Sequence, residues 1–285
     1  MRSATRIAEA RAILDQSRMR GRIIGLVPTM GNIHAGHLAL LERCRQECDF
    51  AVATIFVNPL QFGPAEDFAD YPRTLEQDRE LLAANGCDLL LHPSVAEVYG
   101  DNPECSTQVR VPGLSGRLCG ASRPGHFDGV ATVVARLLNY AGADVAYFGL
   151  KDYQQFLIIR KLAADLGMAT RIAGVETVRE SDGLALSSRN GYLSHTERAA
   201  APALYRVLRE MARRIETGAR DFESIAATGR QNLTAAGFRI DYLEIANANT
   251  LAPATATDRE IIILAAAHLG RTRLIDNLRI DAGGA

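Results

Sequence analysis

The sequence predicts an α/β protein, a doubly wound parallel sheet followed by a smaller C-terminal α+β domain, on three observations. Strand-length apolar runs alternate with helix-length segments through the first two-thirds of the chain, which is the rhythm of βα units. Those runs are continuously apolar, as strands covered on both faces are. From Ser181 the rhythm stops, because Gly183, Gly191 and the polar run Ser187-Ser188-Arg189-Asn190 interrupt it. The expected division is therefore a first domain over 1–182 and a second over 183–285.

Each element has its own signal. The Arg-rich stretch Met1 to Arg22 reads as an amphipathic helix, since Glu9, Asp15 and the lack of a cleavable apolar core argue against a transit peptide. Ile23 to Val27 reads as a buried strand, and Leu38 to Leu41 with Cys44 and Cys48 keeps helical spacing behind it. Phe50 to Val57 is a second strand, β-branched and apolar, stopped by Asn58-Pro59. A helix over Leu75 to Asn85 ends at Gly86, and Cys87 to Leu91 supplies a short third strand. Gly129 to Tyr140 (helix), Val145 to Phe148 (strand), Asp152 to Leu166 (helix) and Arg171 to Val178 (strand) complete the doubly wound unit. Beyond the boundary come one long Ala- and Arg-rich helix, about Thr196 to Thr217, and strands at Ile240 to Ala246, Ile261 to Ala267 and Thr272 to Ile275 with helix between them. Gly283-Gly284-Ala285 reads as a loose tail.

Composition narrows the function classes. At 285 residues, 47% hydrophobic and 23% charged, the chain is globular. A net charge of -1 gives no general attraction to nucleic acid or anionic membranes, so neither is an expected partner. No apolar run approaches the roughly 20 residues needed to cross a bilayer. The five cysteines form no CxxC pair and leave an odd count, which argues against a disulfide framework or zinc ribbon and favours the cytoplasm. Cys44 and Cys48, four apart, read as buried small side chains rather than metal ligands.

The chemistry concentrates in loops that follow strands, where open α/β sheets bind ligands. Pro28 to His37 sets a His-Ala-Gly-His pair at a helix start. His34 and His37 share a helix face, Gly36 leaves room for a phosphate, and unpaired amides at the helix N-terminus add positive potential. The imidazoles can donate hydrogen bonds or become cationic as charge develops on a leaving pyrophosphate. This pattern suits a nucleoside triphosphate, while two ordinary polar histidines at a helix start remain the alternative. Asn58 and Gln61 offer paired amides to a small polar substrate, though turns alone favour such residues. Lys151 places a compact cation after the strand ending at Phe148, Asp152 suits a cap or a ribose hydroxyl, and Gln155 lies one turn on. Ser187, Ser188 and Arg189 equip a loop to close on a polyphosphate. Arg123 to Phe127 forms a basic loop that either meets substrate or pairs locally. Jointly these loops point to a nucleotide-dependent enzyme.

Six patterns, PTMGxxHxGH, FVNPxQF, YPRT, RPGHF, GxKDxQQ and LSSRN, stand in order at Pro28 to His37, Phe56 to Phe62, Tyr71 to Thr74, Arg123 to Phe127, Gly149 to Gln155 and Leu186 to Asn190. Over essentially the whole chain they resemble the pantothenate synthetase (pantoate–β-alanine ligase) family. The resemblance implies a Rossmann-like domain of the HxGH nucleotidyltransferase superfamily with a C-terminal lid, in a cytoplasmic homodimer. It implies ATP-dependent, AMP-forming condensation of (R)-pantoate with β-alanine through pantoyl-adenylate, with ATP and Mg2+ but no organic prosthetic group. It assigns catalysis to His37, as proton donor, with His34. It assigns ATP binding to Met30, Gly31, Asn32, Ile33, His34, Ala35, Gly36, His37, Gly149, Leu150, Lys151, Asp152, Val178, Leu186, Ser187, Ser188 and Arg189, and pantoate to Gln61 and Gln155, with Gln61 also near β-alanine. Lys151 and Arg189 are the expected stabilisers of transition-state charge. One departure is Leu150, where the family commonly has a polar residue, so only a backbone role is expected there. The Mg2+ ligands are unassigned, Asp78 being a possible outer partner.

Two other readings remain at this level. A nucleotidyltransferase acting on a phosphorylated acceptor would need a further basic pocket, whereas the amides of Gln61 and Gln155 suit a hydroxy acid. A catalytically silent ATP sensor would not need His34, His37, Lys151 and Arg189 together.

Overall fold

A computed structural model describes residues 1–64, 66 and 68–282. Its larger sheet is built from β1 (Arg2–Ala4), β2 (Ile24–Thr29), β3 (Phe50–Ile55), β4 (Leu89–Leu91), β5 (Val145–Gly149) and β6 (Arg171–Val175). All six strands run parallel, in the order β1-β4-β3-β2-β5-β6. The connecting helices are α1 (Ile7–Met19), α2 (Ala35–Glu47), α3 (Leu75–Ala84), α4 (Val95–Tyr99), α5 (Cys119–Ser122), α6 (His126–Ala141) and α7 (Tyr153–Asp165). Helix α2 packs on β2, β3, β5 and β6, while α1 and α6 pack on each other and on β2. Covering both faces explains why β2, β3 and β4 are buried at nearly every position. In β2, Gly25 is needed because a Cβ there would run into the thiols of Cys44 and Cys48, so α2 lies close against the sheet.

The chain steps from β2 outward to β3 and later returns to β5 on the other side of β2. Such a reversal opens a crevice at the carboxyl ends of the strands. The loops after β2, β3 and β5 are those that carry the histidines, Gln61 and Gly149-Leu150.

The second sheet is antiparallel and consists, in order, of β7 (Arg239–Asn247), β8 (Glu260–Leu269) and β9 (Thr272–Asp281). Before it run α8 (His195–Ala200), α9 (Ala203–Glu216) and α10 (Phe222–Ala235). Helices α9 and α10 pack on each other and on β9 and β7, and Leu204, Leu208, Ile215, Ile225, Leu233 and Ile263 are nearly inaccessible in the core between them. Two compact units follow from the contacts. The first holds 1–116, 123–150 and 155–176; the second holds 117–122, 151–154 and 177–285. The chain thus visits the second unit twice before entering it for good.

Several expectations are corrected. The N-terminal helix is preceded by β1, which pairs in parallel with β4. The strand after it is displaced toward Thr29, and Pro28 lies within it facing Thr54. The strands expected to reach Val57 and Val178 stop at Ile55 and Val175. The single helix expected over Thr196 to Thr217 is two, because Pro202 lacks an amide hydrogen and crowds the preceding turn. Among the described residues no helix lies between the C-terminal strands; α10 precedes them, and turns join β7 to β8. The tail Gly283 to Ala285 lies outside the described residues.

Candidate active site

The loop from β2 into α2 is built around two consecutive left-handed residues, Gly31 (φ 83°) and Asn32 (φ 51°). Glycine tolerates that conformation, and asparagine is among the few other residues that do. His34 then caps α2: its Nδ1 accepts from the Gly36 amide at 3.1 Å, and the His34 amide donates to Nδ1 of His37 at 3.4 Å. The two rings lie 4.1 Å apart, tilted by 33°. An imidazole nitrogen that accepts carries no proton, so each neutral ring holds its N–H at Nε2. Two Nε2–H donors on neighbouring rings suit an anion.

The expectation of unpaired amides here is corrected. Gly31 donates to Thr29 Oγ1 at 3.1 Å, Asn32 to Asp78 Oδ2 at 2.9 Å and Ile33 to Asp78 Oδ1 at 2.7 Å. With His34 and Gly36 also donating internally, this loop is unlike a glycine-rich loop whose amides all face phosphate. Asp78, the possible outer metal partner of the sequence reading, thus accepts an amide on each carboxylate oxygen. Among the described residues no group of three His, Cys, Asp or Glu forms a metal cage.

After β3, the 3₁₀ turn Pro59–Gln61 places Gln61 beside this loop. Its Nε2 donates to Met30 Sδ at 2.9 Å, and its Oε1 accepts from Asn58 Nδ2 at 3.1 Å. Asn58 is itself buried, donating to the Gly129 carbonyl and accepting from the Tyr99 hydroxyl at 2.8 Å. Gly129 must stay bare, because a Cβ would strike the Leu60 carbonyl. The Gln61 carbonyl meets His126 Nδ1 at 2.8 Å and Arg123 Nη2 at 3.3 Å. Arg123 also pairs with Glu66. Burial pushes the Glu66 carboxyl up, but the adjacent guanidinium overrides this and holds it below its ordinary range. The basic loop therefore pairs locally and braces Gln61. Tyr99 and Gly129 were not identified by sequence as supports, whereas local pairing was one of the two readings of the Arg123 loop.

After β5, Gly149 ends the strand and Leu150 is buried. Leu150 packs where a Cβ on Gly174 would collide, so its apolar side chain faces β6. Gln155 stands half-buried in the first turn of α7.

The remaining predicted residues belong to the second unit. Lys151 and Asp152 form the 3₁₀ turn that leads into α7, with Lys151 Nζ 4.0 Å from Asp152 Oδ2. The Lys151 carbonyl accepts from Asn277 Nδ2 at 2.9 Å, which ties that turn to β9. Val178 and Leu186 come together directly, the Leu186 amide donating to the Val178 carbonyl at 3.0 Å across a hairpin that turns at Gly183. Arg179 anchors this hairpin to Asp276 at 2.7 and 2.9 Å and stacks on Tyr205 at 3.7 Å. Ser187 opens the 3₁₀ turn Ser188–Tyr192, its Oγ accepting from the Arg189 amide at 3.3 Å.

A parallel sheet with a switch point, a histidine-capped helix and an amide pair on the adjacent loop define a nucleotide-binding α/β enzyme class. The comparisons make this specific. The family model for pantoate-beta-alanine ligase matches residues 2–279. The pantothenate synthetase of Pseudomonas aeruginosa is 55% identical over 280 residues, covering 98% of this chain and 99% of the relative. The crystal structure of pantothenate synthetase from Thermus thermophilus superposes with a TM-score of 0.92 at 48% identity, over 99% of both chains. That of the pantoate-beta-alanine ligase from Francisella tularensis, complexed with beta-gamma ATP and beta-alanine, gives 0.81 at 33% identity, over 100% of this chain and 99% of that one. The chain belongs to the pantoate-beta-alanine ligase family.

Proposed function

We propose that this enzyme joins (R)-pantoate to β-alanine at the expense of ATP. The pantoate carboxylate attacks the α-phosphorus of ATP and expels pyrophosphate; the β-alanine amine then attacks the acyl carbon of pantoyl-adenylate and expels AMP. No protein nucleophile is needed, since the phosphoanhydride supplies the activation and the protein supplies alignment and charge neutralisation. The observation that carries this reading is the juxtaposition of the His34–His37 pair with Gln61 through Met30, in a chain of this family.

The roles follow from the donors. His34 and His37 hold the triphosphate through Nε2–H, and His37 acts as its imidazolium when it passes a proton to departing pyrophosphate, returning to the neutral ring. Met30 to His37, Gly149 to Asp152, Val178 and Leu186 to Arg189 bind ATP, and Lys151 and Arg189 neutralise charge as it develops. Gln61 and Gln155 hold pantoate, Gln61 reaching β-alanine as well. Mg2+ arrives with ATP as part of the substrate. The domains expected from sequence, 1–182 for ATP and pantoate and 183–285 as a lid, differ from the compact units, which group Lys151, Asp152 and Val178 with the C-terminal residues.

Purified protein with ATP, Mg2+, pantoate and β-alanine should release AMP and pyrophosphate in proportion. Turnover indifferent to either organic substrate would refute the assignment. Family resemblance supports a homodimer, for which light scattering should give twice the 30.9 kDa chain mass. The five unpaired thiols suit the reducing cytoplasm. No helix among the described residues is long and apolar enough to cross a membrane.

A further inference from the structure

After the two left-handed residues Gly31 and Asn32, the amides of Asn32 and Ile33 point at one anion, and that anion is the chain's own. Asp78, only 2% exposed, accepts the Asn32 amide on Oδ2 and the Ile33 amide on Oδ1, and Oδ1 also accepts from Thr74 Oγ1 at 3.2 Å. We propose that Asp78 is a positioning residue: an internal carboxylate that plugs the amide pair after β2 and thereby sets the direction from which His34 and His37 meet the triphosphate. The YPRT stretch, Tyr71 to Thr74, then has a purpose, since Thr74 is the N-cap residue of α3 and braces the carboxylate that α3 delivers.

The geometry explains why a carboxylate is required. Both oxygens face donors, so an isosteric amide would turn one acceptor into an N–H pointed at another N–H. A Cβ on Gly31 would sit 3.0 Å from Asp78 Oδ2, so the loop has little room to retreat. Displacing the loop moves His34, whose own amide and ring complete the cap of α2. In the reaction proposed above, on which this inference rests, the first step depends on triphosphate contacts and the second does not.

The test separates the two steps. Asp78→Asn should lower pantoate-dependent ATP–pyrophosphate exchange by about 10²-fold, the scale of a small misplacement of reacting groups. It should leave aminolysis of supplied pantoyl-adenylate by β-alanine within about twofold of wild type, a change of under half a kcal/mol by the tenfold-per-1.36 rule. Asp78→Ala removes the plug without adding a donor, so formate should restore part of its exchange and leave Asp78→Asn unchanged. Wild-type exchange in Asp78→Asn, or equal loss of both steps, would overturn the proposal. If Asp78→Asn fails to fold, formate rescue of Asp78→Ala decides alone, and no rescue counts against the plug. Wild-type protein lacking pantoate-dependent exchange would instead sink the proposed reaction.

Discussion

The two imidazoles show how one hydrogen bond decides what a residue can do. Nδ1 of His34 and of His37 each accepts a backbone N–H at the start of α2, so the cap fixes the orientation of both rings. Lys151 is held differently, through its own carbonyl, with its ammonium beside Asp152. His37→Ala and Lys151→Ala should each slow adenylation by about 10²-fold or more, the usual effect of removing one charge-stabilising donor. Single-turnover pyrophosphate release would measure this, and near-normal rates would remove the residue from the mechanism.

Between elements, the end of α2 is tied to the sheet by Glu47. Its carboxylate accepts from Arg171 on β6 at 2.7 Å and from the Tyr147 hydroxyl on β5 at 2.9 Å, and it pairs with Arg43 one turn back. These partners, Arg171 foremost, lower the Glu47 pKa from 4.5 to about 2. A depressed carboxyl stabilises the fold above its unfolded pKa, and that contribution is lost as pH falls through the folded one. Glu47→Gln should thus melt at lower temperature than wild type near pH 7, the difference shrinking as pH drops from about 4.5 toward 2. A gap constant across that range would show that the partners do not act through the ionised carboxylate. The same elements show what sequence could carry. The buried runs of β2, β3 and β5 were legible because continuous apolarity survives without knowledge of the partner strand. Strand β1 was not, since Arg2-Ser3-Ala4 has no pattern of its own and is defined by pairing with Leu89 to Leu91. Pro202, which divides α8 from α9, lies inside the span read as one helix.

At the scale of the whole molecule, residues to which the resemblance assigns ATP fall into both compact units, and the motifs that name them do not say how each is held. The occupancy of the amides after β2 depends on a carboxylate 45 residues further along, at Asp78, and such pairing leaves no local trace. Leu150 was an oddity in sequence and is ordinary in the fold, filling the space beside Gly174. Gln61 was visible as a turn amide, but its precision comes from Asn58, Tyr99 and Arg123, none of which is its nearest neighbour in the chain.

The discontinuity of the second unit limits how this protein can be recombined. Cys119, in the 117–122 segment, and Tyr242, on β7, meet at 3.0 Å, and Gln154 holds the Arg117 carbonyl at 2.7 Å. A gene fusion that swapped only the stretch from 177 onward would graft in a body missing two of its inner pieces, and would leave those pieces behind facing a stranger. Exchange between homologues should therefore succeed as whole genes and fail as tails, which makes this ligase, for all its two bodies, a single heritable part.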